Sequence, residues 1–280
     1  MNSNKTWFVT GTSQGLGLEL VKKLLAEGYN VAATARNIDV LTKAVDTTSA
    51  QFLPLEVDLL NEASIKKGVD ATIAKFGKID SLVNNAGFGL IAGIEEASKE
   101  EVQASFDVNV FGLLSVTRAV LPHMRAAQSG HIFNISSVFG LIAGAGWGIY
   151  CASKFAVEGL SEALAQEVKP FGIKVTIIEP GYFRTNFLKG GSFVLPKQEI
   201  AAYAEIVETK RKHAEDIAGT QQGDPVKAAE VIISTAEKAD APLRLLLGSD
   251  ALQFANYKLD LLKADFEANK AVTLSTDYAS

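Results

Sequence analysis

Apolar positions along this chain change period repeatedly, from short consecutive runs to spacings of three and four. Thr6-Trp7-Phe8-Val9-Thr10 is a β-branched and aromatic run, Gly11 to Gly17 is rich in glycine, and Leu16 to Glu27 carries a helical pattern. The predicted order is strand, tight turn, helix. Asn30 to Ala35 reads as a second strand, Ile38 to Val45 as a helix, and Gln51 to Val57 as a third strand that ends at Asp58. Asn61 to Phe76 follows as a helix with Ile65, Val69 and Ile73 on one face, and Ile79 to Val83 as a fourth strand. Glu100 to Arg125 predicts one long helix or two abutting ones, His131 to Ile135 a fifth strand, Ala152 to Val168 a helix, and Ile173 to Ile178 a sixth strand.

Alternation of this kind specifies a mostly parallel sheet with helices on both faces. Right-handed crossovers leave a doubly wound, Rossmann-type α/β sheet as the simplest topology. After Pro180-Gly181 the rhythm breaks. Residues 186–222 are rich in Gly, Lys and Glu, with short helical patterns and no strand between them. They read as an excursion over the carboxyl edge of the sheet, where open α/β folds bind ligands. Pro225 to Lys238 resumes as a helix, Leu243 to Leu247 is a seventh strand, Leu252 to Ala268 a terminal helix, and residues 269–280 a loose tail. No repeat or linker divides the chain, so residues 1–280 are expected to form a single domain.

At 280 residues and 48% hydrophobic composition, the chain can bury a large core. A formal charge of −5 shows no basic excess, so neither a nucleic-acid nor a membrane-surface partner is expected. Cys151 is the single cysteine, which rules out an intrachain disulfide, and the N-terminus lacks a basic stretch followed by an apolar one. Glycines break the apolar run around Leu141 to Ile149, which argues against a membrane span. A soluble, cytoplasmic protein is expected. His123, His131 and His213 match no metal-ligand spacing and read as structural or exposed, so no metal site is expected.

Candidate chemistry gathers where strands end. Gly11, Gly15 and Gly17 stand where the backbone turns sharply, and the N–H groups at the start of the next helix suit a pyrophosphate. Arg36 closes the second strand, where an adenosine ribose would lie; an arginine there suits a 2′-phosphate, whereas a carboxylate would bind a 2′-hydroxyl. Asp39, able to neutralise Arg36, keeps NAD(H) open beside the favoured NADP(H). Tyr150 and Lys154 are four residues apart, on one face of any helix. A cation that close favours phenolate and is expected to lower the tyrosine pKa from its usual value of about 10, making it a proton donor or acceptor at neutral pH.

Together these residues resemble the short-chain dehydrogenase/reductase family over residues 5 to about 185, and more loosely to about 250. The resemblance rests on the Thr10 to Gly17 turn, Asp58, Asn84-Asn85-Ala86-Gly87, Asn109, Ser137, Tyr150, Lys154 and Pro180-Gly181, in identity, order and spacing. It implies that Tyr150 exchanges the proton and that Lys154 tunes Tyr150 and binds the nicotinamide ribose. Ser137 would orient the carbonyl, with Ser136 in support, and Asn109 would hold a water that links the lysine to solvent. Ser13, Leu16 and the turn glycines would meet the phosphates. Asp58 and Leu59 would meet the adenine, and Asn85, Ala86 and Gly87 the ribose. Pro180, Gly181, Phe183 and Thr185 would hold the carboxamide, with Thr185 able to reach carboxamide or phosphate. Asn84 would tie strands together. The implied assembly is a homodimer or homotetramer through the helices of residues 100–125 and 152–168.

Val138, Phe139, Leu141, Ile142, Trp147, Tyr182 and Phe187 flank the catalytic candidates and suit an apolar ketone, aldehyde or secondary alcohol, or else belong to the core. The expected activity is NADP(H)-dependent hydride transfer to or from such a substrate. An NAD-dependent alcohol or hydroxysteroid-like dehydrogenase is one alternative; a nucleotide-sensing binding protein without turnover is another.

Overall fold

A computed structural model describes residues 5–188 and 192–278. Its main sheet has seven parallel strands in the order β3-β2-β1-β4-β6-β7-β9. These are β1 (Thr6–Thr10), β2 (Asn30–Ala35), β3 (Phe52–Glu56), β4 (Ser81–Asn84), β6 (Gly130–Ile135), β7 (Ile173–Pro180) and β9 (Arg244–Leu247). The order reverses between β1 and β4, so the carboxyl ends of those strands open a crevice, the usual ligand position in doubly wound sheets. Helices α1 (Gly15–Ala26), α2 (Ile38–Val45) and α8 (Pro225–Ala236) cover one face, and α3 (Glu62–Phe76), α5 (Leu113–Ala127) and α6 (Gly148–Val168) the other.

Period-two alternation within β1 divides the core. Trp7 and Val9 pack toward Leu20, Leu24, Ile232 and Ile233, while Phe8 packs toward Ile65, Val69, Val116 and Val120. Both faces being covered explains why the strands read as nearly unbroken apolar runs.

Several boundaries differ from the sequence reading. The terminal helix α9 (Ser249–Ala268) starts three residues early, and the tail expected to be loose contains a short helix, α10 (Lys270–Leu274). Within the excursion, β8 (Phe193–Val194) pairs in parallel with β5 (Gly89–Leu90), and α7 (Ala204–Arg211) runs into a π-helical turn over Lys212–Ile217. A two-residue strand is too short to leave a periodic signal. Helix α4 (Lys99–Phe106) continues through a second π turn, Asp107–Gly112, into α5. The resulting 29-residue helix is long and apolar enough to span a membrane by those criteria alone, but nearly half of its most apolar window is packed inside the protein.

The excursion is pinned by a buried ion pair. Lys210 donates to Glu96 at 3.0 Å, and the Glu96 carboxylate also accepts from the backbone N–H groups of Gly93 and Ile200. Among the histidines, His131 is buried, with its Nε2 2.9 Å from the Thr176 hydroxyl, which itself donates to Pro242 O. Burial, aided by Lys174 and Lys5, lowers its pKa to about 3. The unfolded chain therefore takes up this proton first as pH falls below about 6.5, and stability drops by about 1.4 kcal/mol per pH unit from this group until the folded value is reached. A His131→Gln variant should show a flatter loss of stability between pH 6 and pH 4 in urea titrations, in line with that slope.

Candidate active site

A cleft of about 630 Å³ lies over the carboxyl ends of β1, β2, β4, β6 and β7. At one end sits the glycine turn. Gly11 and Gly15 have φ of +69° and +64°, which side chains resist, and a Cβ on Gly11 would stand 2.6 Å from the Cα of Ala86. A Cβ on Gly17 would meet the Gly11 carbonyl at 2.7 Å. Both close approaches let the first turn of α1 face the cleft. That helix has no side-chain cap. Its first N–H groups remain available to an anion, so the cradle fits the pyrophosphate of a dinucleotide.

Threonine and asparagine side chains hold this turn in place. Asn85 Nδ2 donates to the carbonyls of Thr10 and Gly11 at 2.9 and 2.8 Å, and Thr10 Oγ1 accepts from the N–H groups of Asn85 and Ala86. Asn84 bonds Thr117 and Asn134, tying β4 to α5 and β6. Asn85, Ala86 and Gly87 border the cleft together with Ser13, Leu16, Arg36, Asp58 and Leu59. Arg36 is exposed, and among the described residues it forms no ion pair with Asp39.

The other end of the cleft belongs to β6 and α6. Helix α6 begins at Gly148 rather than at Ala152, so Tyr150 lies in its first turn and Lys154 in its second. The glycines before it read as loop in the sequence and hide this start. Tyr150 and Lys154 are 6% and 5% exposed, and both line the cleft. Lys154 donates to Ile135 O at 2.8 Å and its ammonium lies 5.7 Å from the centre of the Tyr150 ring. Ser137 stands two residues beyond Ile135, where its hydroxyl accepts from Phe139 N at 3.1 Å and lines the cleft beside Tyr150.

Charge in this corner departs from the sequence expectation. Burial raises the Tyr150 pKa above its ordinary value, with the Ser137 hydroxyl opposing, instead of Lys154 lowering it. The same burial lowers Lys154 to about 8, Glu158 acting against the shift. Desolvation disfavours both charged forms and is the largest cause of each shift.

Asn109 sits in the π turn between α4 and α5. Its amide donates to Phe88 O and Ser153 Oγ at 2.9 and 3.1 Å, and its carbonyl accepts from Phe88 N. Its hydrogen bonds therefore clamp the loop after β4 to α6. Pro180 closes β7, and Gly181, Phe183 and Thr185 follow it along the cleft; Phe183 forms a parallel bridge with Gly223. Asp250 at the start of α9 fixes this segment by accepting from Tyr182 N at 2.6 Å.

Val138, Phe139, Trp147, Tyr182 and Phe187 wall the cleft around Tyr150, whereas Leu141 and Ile142 do not reach it. Phe88, Val108, Ser192, Val194 and Gln221 also border it, none of them singled out from the sequence. Most sit on the excursion or the π turn, whose irregular backbones carry no periodic signal.

A family model described as short chain dehydrogenase matches residues 5–192. The chain belongs to the short-chain dehydrogenase family. The oxidoreductase BOA17 of Botryotinia fuckeliana is 36% identical over 276 residues, 97% of this chain and 99% of that protein. A solved short-chain dehydrogenase from Streptomyces avermitilis is 39% identical, with a TM-score of 0.90 over 98% of this chain and 100% of its own. A serine dehydrogenase solved in its closed form with NADP+ is 27% identical, with a TM-score of 0.73 over 86% and 94% of the two chains. The protein is thus an oxidoreductase of the family that uses a nicotinamide cofactor.

Proposed function

We propose that the protein is an NADP(H)-dependent oxidoreductase acting on an apolar ketone, aldehyde or secondary alcohol, with Tyr150 exchanging the proton. The observation that carries this reading is the meeting of Ser137, from the end of β6, with Tyr150 and Lys154 on one wall of a cleft whose far end is the glycine turn. When bound, the nicotinamide supplies or accepts the hydride. Gly11, Gly15 and the start of α1 would hold its pyrophosphate, Asp58 and Leu59 its adenine, Ala86 and Gly87 a ribose, and the Pro180 to Thr185 segment its carboxamide.

A phenol kept neutral by burial is a proton donor at pH 7. An alkoxide forming on the substrate is a much stronger base than phenolate, so proton transfer from Tyr150 to it runs downhill. The Ser137 hydroxyl supports the same oxygen as charge develops on it. Lys154, a cation beside the ring, stabilises the phenolate left behind. Phe139, Trp147 and Phe187, with ring centres 5.5 to 6.4 Å from Tyr150, make an apolar substrate wall. Arg36, free of Asp39, favours a 2′-phosphate over a 2′-hydroxyl. Self-association belongs to the same reading, with Phe111, Phe155 and Leu160 exposed along the long helices.

Tyr150→Phe should lower kcat about 10²- to 10⁴-fold in a spectrophotometric carbonyl screen while the NADPH dissociation constant stays near wild type. Tight NADPH binding with no turnover across a broad panel would instead mark a nucleotide-sensing binder. Arg36→Ala should raise the KM for NADPH about tenfold and leave that for NADH unchanged; equal effects on both would sink the cofactor assignment. Because Lys154 is held near 8, its ammonium is lost as pH rises through that value, and reductive kcat should fall with a midpoint near pH 8.

A further inference from the structure

The aromatic wall has a keystone in the excursion. His213, in the π turn of residues 212–217, is buried beneath Trp147 and Tyr182. Its Nδ1 lies 2.7 Å from the carbonyl of Thr209, which can only accept, so Nδ1 carries the proton. Its Nε2 lies 3.3 Å from the Trp147 indole nitrogen, which can only donate, so Nε2 is the bare acceptor. Two independent contacts fix the same tautomer. The Tyr182 hydroxyl, 2.9 Å from the same Nε2, must then donate as well.

Those two donors come from different parts of the site. Trp147 precedes the first turn of α6, with its ring centre 5.5 Å from that of Tyr150, while Tyr182 follows β7 in the segment assigned to the carboxamide. Phe139 stands between them, 5.5 Å from Trp147 and 6.4 Å from Tyr182. Burial holds His213 below the ordinary imidazole range, with the Thr209 carbonyl opposing the shift and Lys212 adding to it, so the neutral form, whose one Nε2 lone pair the two donors share, is the one present. A protonated ring would instead present an N–H to two donors.

We propose that His213 is a positioning residue that holds Trp147 and Tyr182 through one nitrogen and so sets the shape of the substrate wall, making recognition of an apolar carbonyl depend on the seated excursion. The inference rests on the function proposed above. It differs from a general packing role in requiring an acceptor at the position of Nε2. Glutamine can place its amide oxygen there; leucine fills the space without one.

The test uses the full chain carrying Trp7→Phe, so that emission reports Trp147 alone; the Trp7 indole N–H has no partner, so no hydrogen bond is lost. H213L should move the Trp147 emission maximum away from its wild-type position and raise the KM for an apolar ketone about tenfold, with kcat and the NADPH dissociation constant changed less than about twofold. H213Q should recover both emission and KM. Wild-type emission and KM in H213L, or a glutamine variant as impaired as the leucine one, would overturn the proposal. If H213L does not fold, Tyr182→Phe takes its place: it removes one donor and should raise KM about threefold, and an unchanged KM overturns the proposal. A wild-type protein that reduces no carbonyl counts against the proposed function alone, because the emission comparison needs no turnover.

Discussion

The contact on which the site depends is the hydrogen bond from the Lys154 ammonium to the carbonyl of Ile135. A buried cation needs polar partners, and this one finds its partner at the last residue of a central strand. The bond fixes the rotation of α6 against the sheet. Tyr150, one turn earlier on the same face, is thereby directed into the cleft, and Ser137 arrives at the same corner because β6 ends just before it. One strand end thus orients the groups assigned to proton exchange, while β1 and the turn after it shape the opposite end for a dinucleotide.

Much of this was legible in the sequence, for a physical reason. Strands covered on both faces must be apolar throughout, and helices covered on one face must be apolar every three or four residues, so the alternation from Thr6 to Ile178 is visible by period alone. The glycines at positions 11, 15 and 17 were equally readable, since left-handed backbone and close chain approach exclude side chains there.

Other features leave no such mark. A π turn keeps helical composition while adding a residue to one turn, so nothing in Asp107 to Gly112 announces that Asn109 will clamp Phe88. The start of α6 is masked by Gly140, Gly144, Gly146 and Gly148. The direction of the Tyr150 shift depends on desolvation, a property of the assembled core that spacing cannot reveal. His213 was read as structural or exposed; its two aromatic partners lie 66 and 31 residues away and meet it only once the excursion folds back.

The ion pair between Glu96 and Lys210 bears on how small molecules reach the cleft. Glu96 is entirely enclosed, and withdrawing α7 from it would strand a carboxylate without its counter-ion, at a cost of about 3–5 kcal/mol. The flank made by β5, β8 and α7 is therefore a wall rather than a door.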